Sequence, residues 1–442
     1  MQKYILRIAA LAAAVMFTLC GCVDISDSES VPAMKQTEPA AEETSHTAAQ
    51  SQTGIYLISP DDVPVTAAPI TEAPYAMPDI AELRQRLDAI REENGVYGMG
   101  IAVFRGGDII YTEGFGLADT DSGRKCDRST HFRAASVSKL ISTILVMRLC
   151  DEELITPESL LDDAVGLPYS AAGNNDVKLW HLLTHTAGIT DTYLYEQGAS
   201  LRYDVGYVLK NSITGIAPGT FYNYTNFGAG TMGALIECLT GRFFHDYARE
   251  TLFEPLGMDA GYIIDQIEDK ESCAVIYDHD GVVYNVSEWD RDREYYESFG
   301  LGNSYLEAQG ELLITPADLA RLGTALAGDG TIRECGGKRV ISEKSLEQMH
   351  NTYIETDNFG MGLNVRKYSG TLVPGREMYG HPGNALGAIT GIFYDRSDRT
   401  GVVILTNRSN YFLDEKTGLY RTLTDTVREI YDSFFSETAG DP

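Results

Sequence analysis

Strand-forming segments lie near both ends of the folded part of this sequence with a long helical stretch between them, and that spacing constrains the fold more than any other feature. Residues 99–104 and 108–112 are apolar runs joined by Arg105-Gly106-Gly107, a turn composition, and predict an antiparallel hairpin. From 151 to about 258 the pattern is helical with loops, and strand character returns only at 359–365, 388–394 and 402–406. Helices bracket the whole: Ile80, Leu83, Leu87 and Ile90 share one helical face between Pro78 and Asn94-Gly95, and 423–435 reads as a closing amphipathic helix. The expected architecture is a mixed α/β domain, an antiparallel sheet completed by both ends of the chain and flanked by helices, with an all-helical subdomain inserted. Hydrophobic residues make up 43% of the 442, enough for a core of that size, and no fixed-period repeat is present.

Lys3 and Arg7 precede an apolar run, residues 8–19, that is too short to span a bilayer stably. Residues 1–22 read as an export signal. Leu19-Cys20-Gly21-Cys22 is similar to the lipobox of bacterial lipoproteins, in which Cys22 would carry the lipid and become the N-terminus; the plainer alternative is a secretion signal cut nearby. Residues 23–77, rich in Ser, Thr, Ala, Pro and acids, are expected to form a disordered tether, and 78–437 the folded domain. The protein is therefore expected outside the cytoplasm, as a monomer held to a membrane by its lipid. Against 64 Asp+Glu stand 35 Lys+Arg, a formal charge of -29, so nucleic acid is not an expected partner. Beyond the signal, Cys126, Cys150, Cys238, Cys273 and Cys335 are widely spaced and lack a CxxC pair. No disulfide framework is expected, and Cys150 and Cys238, inside apolar helical runs, read as small buried hydrophobes.

Ser136-Val137-Ser138-Lys139 opens an apolar helix, which puts Ser136 and Lys139 on one face a turn apart and points the helix N-terminus at the serine. A serine attacks only when a neighbour takes its proton, and an amine one turn away can do so. The spacing recurs in Ser122-Gly123-Arg124-Lys125, but there it lies in a Gly- and charge-rich loop and reads as a solvated turn. Tyr224-Thr225-Asn226 precedes a helix of small residues. A phenol near a lysine can titrate low enough to relay protons, although on this motif alone a tyrosine capping a helix entry is the simpler reading. His181 and His185 are four apart, but no Glu of the zincin pattern lies between them and no third ligand is evident, so the pair is not expected to hold a metal. Gly-x-Ser-x-Gly, the signature of another serine-hydrolase fold, is absent.

Taken together these residues resemble the serine β-lactamase and penicillin-binding-protein superfamily, in particular its class C β-lactamase-like branch. The further matching stretches are Gly114-Phe115-Gly116-Leu117-Ala118-Asp119, Phe132-Arg133-Ala134-Ala135, the run from His181 to Gly188, Pro255-Leu256-Gly257-Met258 and Gly380-His381-Pro382-Gly383, in the family's order. The resemblance implies an α/β subdomain beside an all-helical one, with acyl-serine chemistry in the groove between them and no metal or cofactor. By matching position Ser136 would be the nucleophile, Lys139 its proton partner and Tyr224 the general base. Asn226 would orient the substrate amide or the lysine, and the N–H groups of Ser136 and Asn384 would form the oxyanion hole. His185 would be structural.

The third motif departs from the commoner Lys-Thr-Gly. His381 would be only partly charged near neutral pH, and Pro382 has no hydroxyl for a substrate carboxylate, while Gly383 is retained. A literal Lys416-Thr417-Gly418 leads straight into the last helix and reads as a decoy. The expected function is a serine hydrolase cleaving a small ester or amide, with a D-alanyl-D-alanine carboxypeptidase or β-lactamase acting on peptidoglycan-like substrates or β-lactams as the near alternative. A non-catalytic binding lipoprotein is the alternative from another class, and intact Ser136, Lys139 and Tyr224 weigh against it.

Overall fold

The computed structural model describes residues 77–436 except 171, 172, 174, 175, 289 and 290. The expected signal, Cys22 and the tether up to residue 76 lie outside the described residues. The elements that frame the site are, in chain order, helix α1 (Ile80–Glu93), strands β1 (Gly98–Arg105) and β2 (Asp108–Asp119), helices α2 (Val137–Asp151), α3 (Asn226–Thr240) and α4 (Pro316–Ala327), strands β3 (Arg366–Ser369), β4 (Glu377–Ala385), β5 (Ala388–Asp395) and β6 (Thr400–Thr406), and helix α5 (Arg421–Phe434).

Both ends of the chain build one nine-stranded antiparallel sheet. β1 pairs on one side with β2 and on the other with β6, from Met99 opposite Thr406 to Arg105 opposite Thr400. Side chains alternate across β1 as the pleat requires. Met99, Ile101 and Val103 join a core with Leu83 and Leu87 of α1 and Val427 and Ile430 of α5. Ala102 and Phe104 join the opposite core with Leu319 and Leu322 of α4. α1 starts where Asp79 accepts from the N–H groups of Ala81 and Glu82, and it stops at Asn94 before Gly95, whose φ of +62° continues no helix. α2 is apolar on nearly every side and is buried on nearly every side, so it forms the spine between the sheet and the helical part.

Three expectations change. The stretch 359–365 is not one strand: Gly360–Met361 and β3 are separate short strands joined through Asn364 at φ +51°. β4 was not expected as a strand, because Gly380, Pro382, Gly383 and Asn384 carry turn chemistry in sequence. Cys238 is exposed at the end of α3 rather than buried, whereas Cys150 is half-buried; the five described cysteines are unpaired.

Candidate active site

Ser136 is the N-cap residue of α2, yet its hydroxyl caps none of that helix's backbone N–H groups. Ala135, just before it, holds φ +49°, a left-handed conformation that costs a non-glycine residue about 1 kcal/mol or more and persists only where its surroundings enforce it. They do: Ala134 N donates to the Leu312 carbonyl at 2.7 Å, and Thr390 Oγ1 on β5 donates to the Ala134 carbonyl at 2.7 Å.

Lys139 has no solvent exposure. Its Nζ lies 2.9 Å from Ser136 Oγ, 2.9 Å from Asn226 Oδ1 and 2.7 Å from the Gln309 carbonyl. Burial pulls its pKa down to about 7 against the opposing pull of Asp191, with Arg366 and Arg133 adding to the fall. The amine is thus poised to accept a proton near neutrality.

Asp191 is the group that sequence reasoning missed here. Its carboxylate accepts from the backbone N–H groups of Asn226 and Phe227 at 2.9 and 2.8 Å, from Thr225 Oγ1 at 2.6 Å and from Asn226 Nδ2 at 3.0 Å. It caps α3 and leaves Asn226 Oδ1 facing Lys139. Nothing in the local sequence marks it, since its partners lie 34 to 36 residues on.

Tyr224 lies over the same lysine, with Nζ 5.1 Å from its ring centroid. The expectation of a low-titrating phenol is corrected: burial pushes Tyr224 up to about 12, more than Ser136 and Arg366 pull it down. At neutral pH it is a neutral phenol. His185, at φ +58°, packs against Tyr224 at a tilt of 34° with centroids 4.4 Å apart and takes the Thr225 N–H on Nδ1 at 3.3 Å. His181 accepts from Lys178 N at 3.0 Å and is held down to about 3 by burial. Among the described residues, neither histidine belongs to a group with metal-ligand spacing.

His381 is also corrected. It sits on β4 with no exposure, and burial beside Arg366 and Lys139 pushes its pKa well below the ordinary histidine value, so it is neutral. Its Nδ1 lies 2.6 Å from the Pro382 carbonyl. The fixed cation at this end is Arg366 of β3, 5.8 Å from the Tyr224 ring centroid and 4.3 Å from that of Phe359. It stands one residue past the stretch 359–365 that was read as a strand.

β3 pairs with β4 only as far as Arg366 opposite Gly380, so from His381 to Ala385 β4 has β5 on one side and, among the described residues, no strand on the other. Pro382 has no N–H for the ladder and must face that open edge, and by the two-residue period the Asn384 N–H faces it too. Gly383 lies against Ser136: a Cβ there would run into Thr390 Oγ1 and stand 3.0 Å from Ser136 N. The geometry therefore gathers Ser136, Lys139, Tyr224, Asn226, His381, Gly383 and Asn384 in one place. The Asn384 side chain points elsewhere, donating to Tyr420 Oη at 2.7 Å. Lys416 is left out, exposed in a turn whose backbone is held by Asp414.

Comparison with known proteins follows the same lines. The family described as Beta-lactamase matches residues 83–424. Penicillin-binding protein 4 of Amycolatopsis lactamdurans is 27% identical over 351 residues, covering 76% of this chain and 88% of that protein. Esterase EstB of Burkholderia gladioli is 32% identical over 244 residues, covering 49% of this chain and 60% of the esterase. In fold, D-amino acid amidase from Ochrobactrum anthropi SV3 superposes with a TM-score of 0.62 at 20% identity, covering 80% of this chain and 99% of that one. A match running from α1 into α5 takes in both halves of the sheet and the helical insertion, and on that ground the chain belongs to the beta-lactamase family and is a hydrolase of that fold.

Proposed function

We propose that this protein is a class C β-lactamase-like serine hydrolase that cleaves a small ester or amide through an acyl-Ser136 intermediate. The observation that carries this reading is the 2.9 Å contact between Ser136 Oγ and a wholly buried Lys139 whose pKa has fallen to about 7. In the neutral form Lys139 takes the hydroxyl proton as Oγ bonds to the carbonyl carbon, and the oxyanion is met by the N–H groups of Ser136 and Asn384. As the tetrahedral species collapses, the proton passes from Lys139 to the leaving alcohol or amine, directly or through the Tyr224 hydroxyl. Water then repeats the sequence on the acyl-serine with the same base and returns the proton to Oγ.

A neutral His381 and a Pro382 without a hydroxyl favour esters or D-amino amides over rigid carboxylate recognition. One observation supports a carboxylate-bearing substrate instead, the Arg366 guanidinium beside Tyr224. Intact mass after incubation with a penicillin, an activated ester or a fluorophosphonate separates these. Wild type is expected to gain an acyl or phosphonyl mass and Ser136→Ala none. Adducts from the ester or phosphonate alone favour the esterase or D-amidase reading, and penicillin adducts favour a cell-wall peptidase or slow β-lactamase. A folded wild type that takes up none of the three ends the acyl-enzyme reading.

The same proposal places the enzyme outside the cytoplasm on a lipid at Cys22, supported by the basic start, short apolar run and lipobox-like ending. Cys22→Ala is expected to move the protein from the membrane pellet to the soluble or unprocessed pool. Unchanged membrane retention with an unlipidated N-terminus by mass would refute the anchor.

A further inference from the structure

The stretch Ser304 to Leu312 runs alongside α2 and is bonded to it and to Arg133 just before it. Ser142 Oγ donates to the Ala308 carbonyl at 2.8 Å, Lys139 Nζ to the Gln309 carbonyl at 2.7 Å and Arg133 Nε to the Gly310 carbonyl at 2.8 Å. Leu312 N donates in return to Ser138 Oγ at 3.1 Å. α3 comes close enough to hold the other side because Gly230 has no side chain; a Cβ there would run into the Tyr305 carbonyl.

One end of this stretch is anchored by a buried carboxylate. Glu307 is 1% exposed, with Oε1 2.8 Å from Nδ1 of the fully buried His245 and Oε2 accepting from Ser304 Oγ at 2.8 Å. A second buried acid, Glu237, takes the N–H groups of Gly302 and Ser304 at 2.7 and 3.2 Å. On its other nitrogen His245 meets Arg293 at 3.2 Å, and Arg293 is held by Asp246 and Glu297. His245, Asp246 and Glu297 have metal-ligand spacing, but the guanidinium already supplies a cation among them.

Burying an acid on a one-turn helix is costly unless it is paired, and none of these groups reaches Ser136. The Lys139 amine gives the arrangement a purpose. When neutral it has two N–H groups and one lone pair. With Asn226 Oδ1 and the Gln309 carbonyl taking the N–H groups, the lone pair is left for Ser136. Asp191 fixes Asn226, whereas the Gln309 carbonyl is a backbone group placed by the path of its own segment. We propose that Glu307 is a positioning residue: by binding His245 and Ser304 it fixes the turn Glu307–Gly310, and so holds the Gln309 carbonyl where it aims the Lys139 lone pair at Ser136.

This inference rests on Lys139 as the base, so its test reads the lysine directly as well as through turnover. The full chain, labelled with ¹³C-lysine, is titrated by NMR, and acylation by p-nitrophenyl acetate is followed before the steady state across pH. Glu307→Gln keeps both hydrogen bonds and is expected within about twofold of wild type. Glu307→Ala loses them; acylation is expected to slow about tenfold at unchanged KM, and the Lys139 midpoint to fall by about one unit, because the ammonium form loses an acceptor. A folded Glu307→Ala with the wild-type midpoint and rate overturns the proposal, as does a Glu307→Gln as impaired as the alanine variant. If Glu307→Ala does not fold, Ser304→Ala, which removes one bond to the same carboxylate, is expected to move the midpoint in the same direction, and no movement overturns it. A wild type that p-nitrophenyl acetate does not acylate at Ser136 counts against the hydrolase reading, and the Lys139 titration then decides the positioning by itself.

Discussion

Lys139→Met is expected to slow acylation of Ser136 by about 10³-fold, near the middle of what a positioned general base contributes, and to remove the pH dependence of that step. In wild type the rate should climb with pH through about 7, the point to which burial has pulled the amine, because only the neutral form accepts the serine proton. The limb belongs to Lys139 and not to His381: the imidazole is already neutral across this range, so His381→Asn should leave the midpoint in place. The fold should tolerate the change, since methionine matches the lysine stem in a fully buried slot and removes a charge that is costly to bury. A stability measurement checks the same shift. The folded-state value lies below the unfolded 10.5, so the unfolded chain binds the extra proton between about pH 7 and 10.5, and stability from this group rises with pH across that window. Lys139→Met should lack that slope. A variant that acylates at the wild-type rate, or keeps the same pH limb, would take Lys139 out of the mechanism.

How far the sequence carries this picture depends on whether each feature is local. Ser136 and Lys139 were legible because three residues on a helix fix a shared face wherever the helix lies. The sheet was legible at β1, β5 and β6, where apolar runs are continuous, and the structure extends them by a residue or two. β4 was not, because its unpaired edge is built from Gly, Pro and Asn, the residues that otherwise announce turns. Asp191 and Arg366 were missed for a different reason. Each acts on Lys139 or Tyr224 across many tens of residues, and no periodicity in its own neighbourhood reports that contact. The charge states of Tyr224 and His381 were misjudged because burial, which dominates both, is a property of the folded chain.

Gly383→Ala carries the second large effect and tests the oxyanion arrangement without touching any ionisable group. The added methyl would run into Thr390 Oγ1 and stand 2.8 Å from the Ala134 carbonyl and 3.0 Å from Ser136 N. None of these can retreat independently, because Thr390 Oγ1 is bonded to the Ala134 carbonyl at 2.7 Å, and Ala134 N is tied to Leu312. Relief must come from β4 moving away from the start of α2. That motion separates the N–H groups of Ser136 and Asn384, which serve only if both converge on one oxygen. Loss of such a donor costs about 10²- to 10³-fold in the chemical step, so single-turnover acylation should fall by that factor while the Lys139 pH midpoint stays near 7. Asn384→Ala is the matched control: its side chain points to Tyr420 and its backbone N–H remains, so acylation should stay within a few-fold of wild type. Equal losses in the two variants would mean that the Asn384 side chain, not the backbone at the β4 edge, does the work. A Gly383→Ala protein acylating at the wild-type rate would mean that the oxyanion is held somewhere else.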